Sequence, residues 1–247
     1  GLRLGRFPRQ VVTTTPRAVP LLKSLMTDNS VAMTHMRTSE NAEHLASGFI
    51  ETINQRYAGT RLGRQELDGE LIEERAGALW SRERIEQCFE QSAPELIRIL
   101  VAIDPPASSG KSSDACGISV AGIDENGISH VLADESMSMA KPHQWARRAI
   151  ALYHEYEADA VLAEVNQGGE MVAAVLAAED ATVPVLMRRA SRGKWLRAEP
   201  VAALYEQGRV RHAGRFTALE DEMCDFAPEG LSSGRSPDRL DAMVWAL

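Results

Sequence analysis

Between residues 97 and 187 the chain alternates apolar runs of strand length with turn signals and amphipathic stretches, a rhythm that few folds accommodate. The run Ile97-Arg98-Ile99-Leu100-Val101-Ala102-Ile103-Asp104 is followed by a second at 117–124 and a third at 128–136. Glu125-Asn126-Gly127 separates the last two, and an Asn-Gly pair between apolar runs signals a tight antiparallel hairpin. Residues 142–158 carry Trp145, Ala149, Leu152 and Tyr153 on one helical face. A buried strand at 160–164, a helix at 168–179, a strand at 183–187 and a helix at 198–207 follow, and residues 236–247 form a closing amphipathic helix. Three antiparallel strands, then parallel strands joined by helices, predict an α/β domain with a mixed sheet flanked by helices.

Acidic residues stand at the ends of these elements. Asp104 ends the first run, Glu164 ends Ala160-Val161-Leu162-Ala163, and Asp238 and Asp241 open the closing helix. A carboxylate just past a buried strand projects from the sheet where water and substrate reach it, and carboxylates at i and i+3 share a helix face. Plain readings exist too: an Asp before Pro105-Pro106 suits a turn, and Asp at a helix N-terminus complements the dipole. Glu164 is less ordinary, because an unpaired buried carboxylate is costly. Together these acids could hold two hard divalent cations, Mg2+ or Mn2+, through oxygen ligands. Such a site activates water and stabilises the leaving oxygen of a phosphodiester. The order of strands and acids is the ribonuclease H-like arrangement. Whether Asp238 or Asp241 is the direct ligand stays open at this level.

Asp114 opens the second strand region, as a further metal or water ligand or as a solvated turn residue. Ser109-Gly110-Lys111-Ser112 carries the last letters of a phosphate-binding loop, but Pro105 stands where the first glycine belongs and has no N–H to offer. A polar loop in which Lys111 touches a phosphate is the better account. Over 187–216, eight basic residues (Arg188, Arg189, Arg192, Lys194, Arg197, Arg209, Arg211 and Arg215) face Glu199 and Glu206, a local charge of +6 in a chain of net charge −8. Such a loop suits phosphate contacts, though a solvated charged loop is the plainer alternative. Trp195 within it can stack on a base or anchor the loop. No base-reading motif is present, so DNA binding through Lys111 and this cluster is expected to follow the backbone rather than a sequence.

The net charge of −8 argues against a protein that coats nucleic acid. No apolar stretch approaches the ~18 residues that span a bilayer, and no signal peptide opens the chain, so a cytoplasmic location without membrane contact is expected. Cys88, Cys116 and Cys224 lie far apart with no CxxC, which predicts neither a zinc site nor a disulfide. The chain opens on Gly1 rather than Met and stops inside a helical pattern at Leu247, so both ends read as cut.

The first 93 residues read differently. A β-rich run at 10–16, a second short strand at 31–36, a helix capped by Ser39 and carrying Ala42, Leu45, Ala46, Phe49, Ile50 and Ile53, and a helix near 82–90 precede Pro94. Two domains, 1–93 and 94–247, follow from this division.

The later part resembles the nuclease domain of the large terminase subunits of tailed bacteriophages and gene transfer agents. The resemblance rests on Val101-Ala102-Ile103-Asp104-Pro105, Ala163-Glu164-Val165-Asn166-Gln167-Gly168-Gly169, Arg192-Gly193-Lys194-Trp195-Leu196-Arg197-Ala198, Gly208-Arg209-Val210 and Ser236-Pro237-Asp238-Arg239-Leu240-Asp241-Ala242. It implies that Asp104, Glu164, Asp238 and Asp241 bind the catalytic metals. Residues 1–93 are similar to the end of the same family's packaging ATPase, a small α/β remnant, through Thr13-Thr14-Thr15-Pro16, Glu40-Asn41-Ala42 and 60–67. No Walker A loop or Walker B acid accompanies them, so ATP hydrolysis is not expected of this chain. The resemblance further implies an endonuclease of a viral-type packaging motor that cuts concatemeric double-stranded DNA, with the portal protein and the small terminase subunit as partners and capsid association during packaging. A RuvC-like junction resolvase and a non-catalytic docking module for DNA or portal are the rival readings.

Overall fold

The computed structural model describes residues 10–16, 19–46, 48–57, 61–71, 75–106, 115–165 and 169–247. The chain forms two compact units, Gly1–Glu73 and Glu74–Leu247. In the first, the described residues form helices α1 (Pro20–Thr27), α2 (Phe49–Tyr57) and α3 (Arg61–Glu66), with a 3-10 helix at Thr38–His44. The runs at 10–16 and 31–36 form no strand among the described residues, and no strand of that unit stands beside them to take up their backbone groups. The helix expected from Ser39 onward is two helices. Leu45 turns extended and Gly48 adopts φ +78 between them, a conformation open to glycine.

In the second unit come α4 (Arg82–Gln87), α5 (Pro142–Glu155), α6 (Gly169–Glu179), α7 (Lys194–Glu206), α8 (Thr217–Asp225) and α9 (Asp238–Ala246). Its strands are β1 (Arg98–Asp104), β2 (Gly117–Ile123), β3 (Ser129–Asp134), β4 (Ala160–Glu164), β5 (Val185–Arg188) and β6 (Val210–His212). Among the described residues they make one sheet in the order β5-β4-β1-β2-β3-β6. The β1/β2 and β2/β3 pairs are antiparallel, and β1/β4, β4/β5 and β3/β6 are parallel. This is the expected mixed sheet. Gly127 at φ +74 closes the β2–β3 turn, where the Asp124 carboxylate accepts from the Asn126 and Ile128 amides, each at 2.9 Å.

A pleated strand sends successive side chains to opposite faces. Val101, Ile103, Val161 and Ala163 enter an apolar layer with Trp145, Ala149 and Leu152 of α5 and Val172 and Leu176 of α6. Asp104 and Glu164, one residue out of phase, therefore face the other side, where α9 packs on β1 and β2. That side has its own core, built from Val131, Tyr205, Leu219, Met223, Leu240 and Met243. Trp80, Ile85 and Cys88 join it, so residues 75–93, grouped with the leader on sequence, pack as part of the second unit. Arg82 pairs with Glu220 and Asp221 of α8, and the Glu90 amide donates to the His212 carbonyl at 2.9 Å. The three cysteines are buried and form no disulfide among the described residues.

Candidate metal centre

The site lies where three elements end together. Asp104 closes β1 at the middle of the sheet, Glu164 closes the adjacent parallel β4, and α9 starts above both. Gly117 makes this close approach possible. It pairs with Asp104 across β1/β2, and a Cβ built on it would stand 1.9 Å from the Asp238 carbonyl oxygen. Only a residue without a side chain lets the first turn of α9 lie flat on the sheet there. The helix then presents Asp238 and Asp241 toward Asp104 and Glu164.

Carboxylate oxygens of Asp104, Glu164 and Asp241 all lie within 4.8 Å of one another. Glu164, Asp238 and Asp241 are buried, and the Asp104 side chain keeps 13% exposure, so the cluster opens to solvent through Asp104. Two cations of α7 reach into it. Lys194 Nζ stands 2.9 Å from Asp104 Oδ2, 3.2 Å from Asp238 Oδ1 and 3.0 Å from Asp241 Oδ2, and donates to Ser236 Oγ at 2.9 Å. Arg197 Nη2 donates to Glu164 Oε2 at 3.1 Å and to both Asp241 oxygens at 2.7 and 2.6 Å. The Trp245 indole N–H donates to Glu164, and its ring lies 5.3 Å from the Arg197 guanidinium carbon.

Burial pushes the Asp104 carboxyl up, the Lys194 ammonium pulls it back, and the Asp241 and Glu164 carboxylates add to the rise, leaving it at about 7. For Lys194, burial works to lower the ammonium, but Asp104, Asp241 and Asp238 outweigh it and hold it above its ordinary value. Acids crowded this closely call for positive charge. Every donor is a carboxylate oxygen, a hard set that suits Mg2+ or Mn2+ rather than a thiophilic metal. Arg197 Nε is buried with no hydrogen-bond partner among the described residues, so the two side-chain cations leave the local hydrogen bonding incomplete.

The structure brings Asp104, Glu164, Asp238 and Asp241 together, with Asp241 inside the close triad and Asp238 joined to it through Lys194. Asp114 and Lys111 lie outside the described residues. The basic cluster separates. Lys194 and Arg197, expected in a loop, sit on the first turn of α7 and turn into the acids. Arg188, Arg189 and Arg192 are exposed beside the site, Arg188 pairing in register with Glu164. Arg209 and Arg211 belong to the β6 edge. Five strand spacings of ~4.8 Å put that edge roughly 24 Å from β5. Trp195 packs on Phe226, its indole N–H donating to Glu199. Gly117, Ser236 and Trp245 escaped the reading of the sequence. Only Gly117 carried a usable signal, a glycine opening an apolar strand, and a tertiary contact explains it.

Residues 101–247, more than half of the chain, match the family model of the terminase RNaseH-like domain. Residues 1–87 match that of the terminase large subunit, T4likevirus-type, N-terminal. A comparison with curated proteins found no match. Among solved structures the chain is similar to the nuclease domain of the large terminase subunit of bacterial virus Sf6, with TM-score 0.54 and 15% identity over 68% of this chain and 97% of that one. It is similar to the human cytomegalovirus terminase nuclease domain, with TM-score 0.52 and 12% identity over 67% and 92%. A third is the large terminase nuclease from thermophilic phage G20c with bound magnesium, with TM-score 0.50 and 18% identity over 70% and 97%. At these identities the structural likeness is one of fold, and the family model carries the assignment: the chain belongs to the terminase RNaseH-like domain family.

Proposed function

We propose that this chain is the metal-dependent DNA endonuclease of a viral-type packaging motor and cuts concatemeric double-stranded DNA by phosphodiester hydrolysis. The observation that carries the reading is the triad of Asp104, Glu164 and Asp241, its oxygens within 4.8 Å of one another on three different elements. Asp104, the least buried of the acids, would hold two divalent cations, Mg2+ or Mn2+, together with Glu164 and Asp241, with Asp238 beside them. The chemistry such ions supply is activation of water and neutralisation of the oxygen that leaves. The magnesium bound in the G20c nuclease is in keeping with an all-oxygen site on this fold. Burial of Glu164 and Asp241 holds two ligands rigid, while Arg197 and Trp245 fix the orientation of Glu164. Arg188, Arg189 and Arg192 would hold the duplex by its phosphates over Asp104. Residues 1–73 would be the end of the packaging ATPase, and the portal protein and small terminase subunit the partners, in a bacterial cell. No described helix is long and apolar enough to cross a membrane.

The pairing of Lys194 and Arg197 with the acids favours a second reading, a docking module whose salt-bridge network is structural. Supercoiled plasmid incubated with Mn2+, Mg2+ or EDTA separates the two. Nuclease function predicts metal-dependent nicking and linearisation, lost in Asp104→Asn. Neither cutting nor metal binding by calorimetry would leave the docking module standing.

A further inference from the structure

Lys194 and Arg197 both neutralise the acids, but they are held differently. Arg197 is part of the wall: Nη1 donates to the Arg192 carbonyl at 2.8 Å, Nη2 is shared between Glu164 and Asp241, and its guanidinium lies against Trp245. Lys194 has no such anchorage. It is the first residue of α7, after the N-cap Gly193, beside which a Cβ would meet nothing within 4 Å. Its side chain is 29% exposed, and its ammonium meets the three carboxylates Asp104, Asp238 and Asp241 and the Ser236 hydroxyl. An ammonium at hydrogen-bonding distance from Asp104 Oδ2 and Asp241 Oδ2 uses the oxygens that a divalent cation would take. Two positive charges cannot share them without strong repulsion.

We infer that Lys194 is a built-in counter-ion that holds the metal-free site together and must withdraw when a divalent cation enters. The inference rests on the reading of the acids as a metal site. A flexible four-carbon stem rooted at an exposed helix start allows the withdrawal without moving the α7 backbone. Arg197, whose Nη2 donates to both Asp241 oxygens and whose guanidinium packs on the indole, stays. Loading the site is then an exchange of one cation for another, and metal affinity is set partly by how well Lys194 competes.

Lys194→Met keeps the stem and removes the charge. In calorimetry on the full chain, Mn2+ is expected to bind the variant roughly tenfold more tightly than the wild type, a modest coupling between two ligands of one site. Thermal melting in EDTA should show the variant less stable than the wild type, with Mn2+ restoring more than it adds to the wild type. A purely structural lysine would give the reverse, since a loosened site binds metal more weakly. Lys194→Gln, uncharged yet able to donate to a carboxylate, should give the same ordering if the Met variant does not fold. Mn2+ binding by the wild type that is equal to or tighter than that of both variants overturns the exchange while leaving the metal site intact. No Mn2+ binding by wild type or variants overturns the metal reading and the exchange together. Binding by the variants alone supports both.

Discussion

Val101 and Ile103 meet α5 in a wholly apolar layer, whereas Asp104, the next residue on the same strand, meets α7 and α9 in a cluster of acids and cations. The same division recurs on β4, where Val161 and Ala163 face the apolar layer and Glu164 faces Arg197 and Trp245. One side of the sheet is built to be stable. The other gathers like charges in partly buried surroundings and leans on the first side for support. The acids sit one residue away from the core because a strand's period of two lets charge and core share a backbone.

The largest effects should come from breaking the apolar side. Trp145→Ala removes a fully buried indole and is expected to cost about 4 kcal/mol in urea unfolding. The Mn2+ affinity of the folded fraction should be unchanged, and a loss of affinity would show that the two sides are not separable. Gly117→Ala attacks the division from the site side without touching a carboxylate. Its Cβ would collide with the Asp238 carbonyl, so it should cost about 3 kcal/mol and abolish Mn2+ binding by displacing α9. Retained binding would mean that α9 need not lie close to β2.

Glu222 sharpens the comparison through pH. Burial pushes its carboxyl up to about 7, the Leu240 amide that donates to it at 2.9 Å opposes the rise, Asp238 and Asp134 add to it, and Arg239 opposes it. Its folded value is raised, so the folded state favours the proton. The associated stability is full below the ordinary glutamate value of 4.5 and is lost as pH rises through about 7. Melting in EDTA at pH 5 and pH 8 should therefore show a drop that Glu222→Gln reduces; equal slopes in the two proteins would exclude the effect. The smallest effects belong to single surface cations. Arg188→Ala should lower the salt dependence of duplex binding by roughly one phosphate contact. Arg209→Ala, at the opposite sheet edge, should leave it unaltered, and equal losses would place DNA across both edges.

Much of this was readable because strand alternation and the Asn126-Gly127 turn are local signals, and because Asp104 and Glu164 interrupt runs that are otherwise apolar. What escaped was set by distant contacts. β6 has three residues, one of them Arg211, and is a strand only because β3 lies beside it. Lys194-Trp195-Leu196-Arg197 looked like a charged loop, yet the acids of β1, β4 and α9 hold it as the first turn of α7. The runs at 10–16 and 31–36 had strand composition but, among the described residues, no strand to pair with. The glycine at 117 was legible as a glycine; its reason, the Asp238 carbonyl, is 121 positions away.

The central claim, that the acids of β1, β4 and α9 form a divalent-cation site otherwise filled by Lys194, is tested most directly by a crystal structure with Mn2+ and its anomalous map. The account predicts manganese signal at the oxygens of Asp104, Glu164 and Asp241, with the Lys194 ammonium withdrawn and Arg197 in place. Well-ordered acids with Lys194 still seated among them, and no manganese at concentrations that support plasmid cleavage, would contradict it.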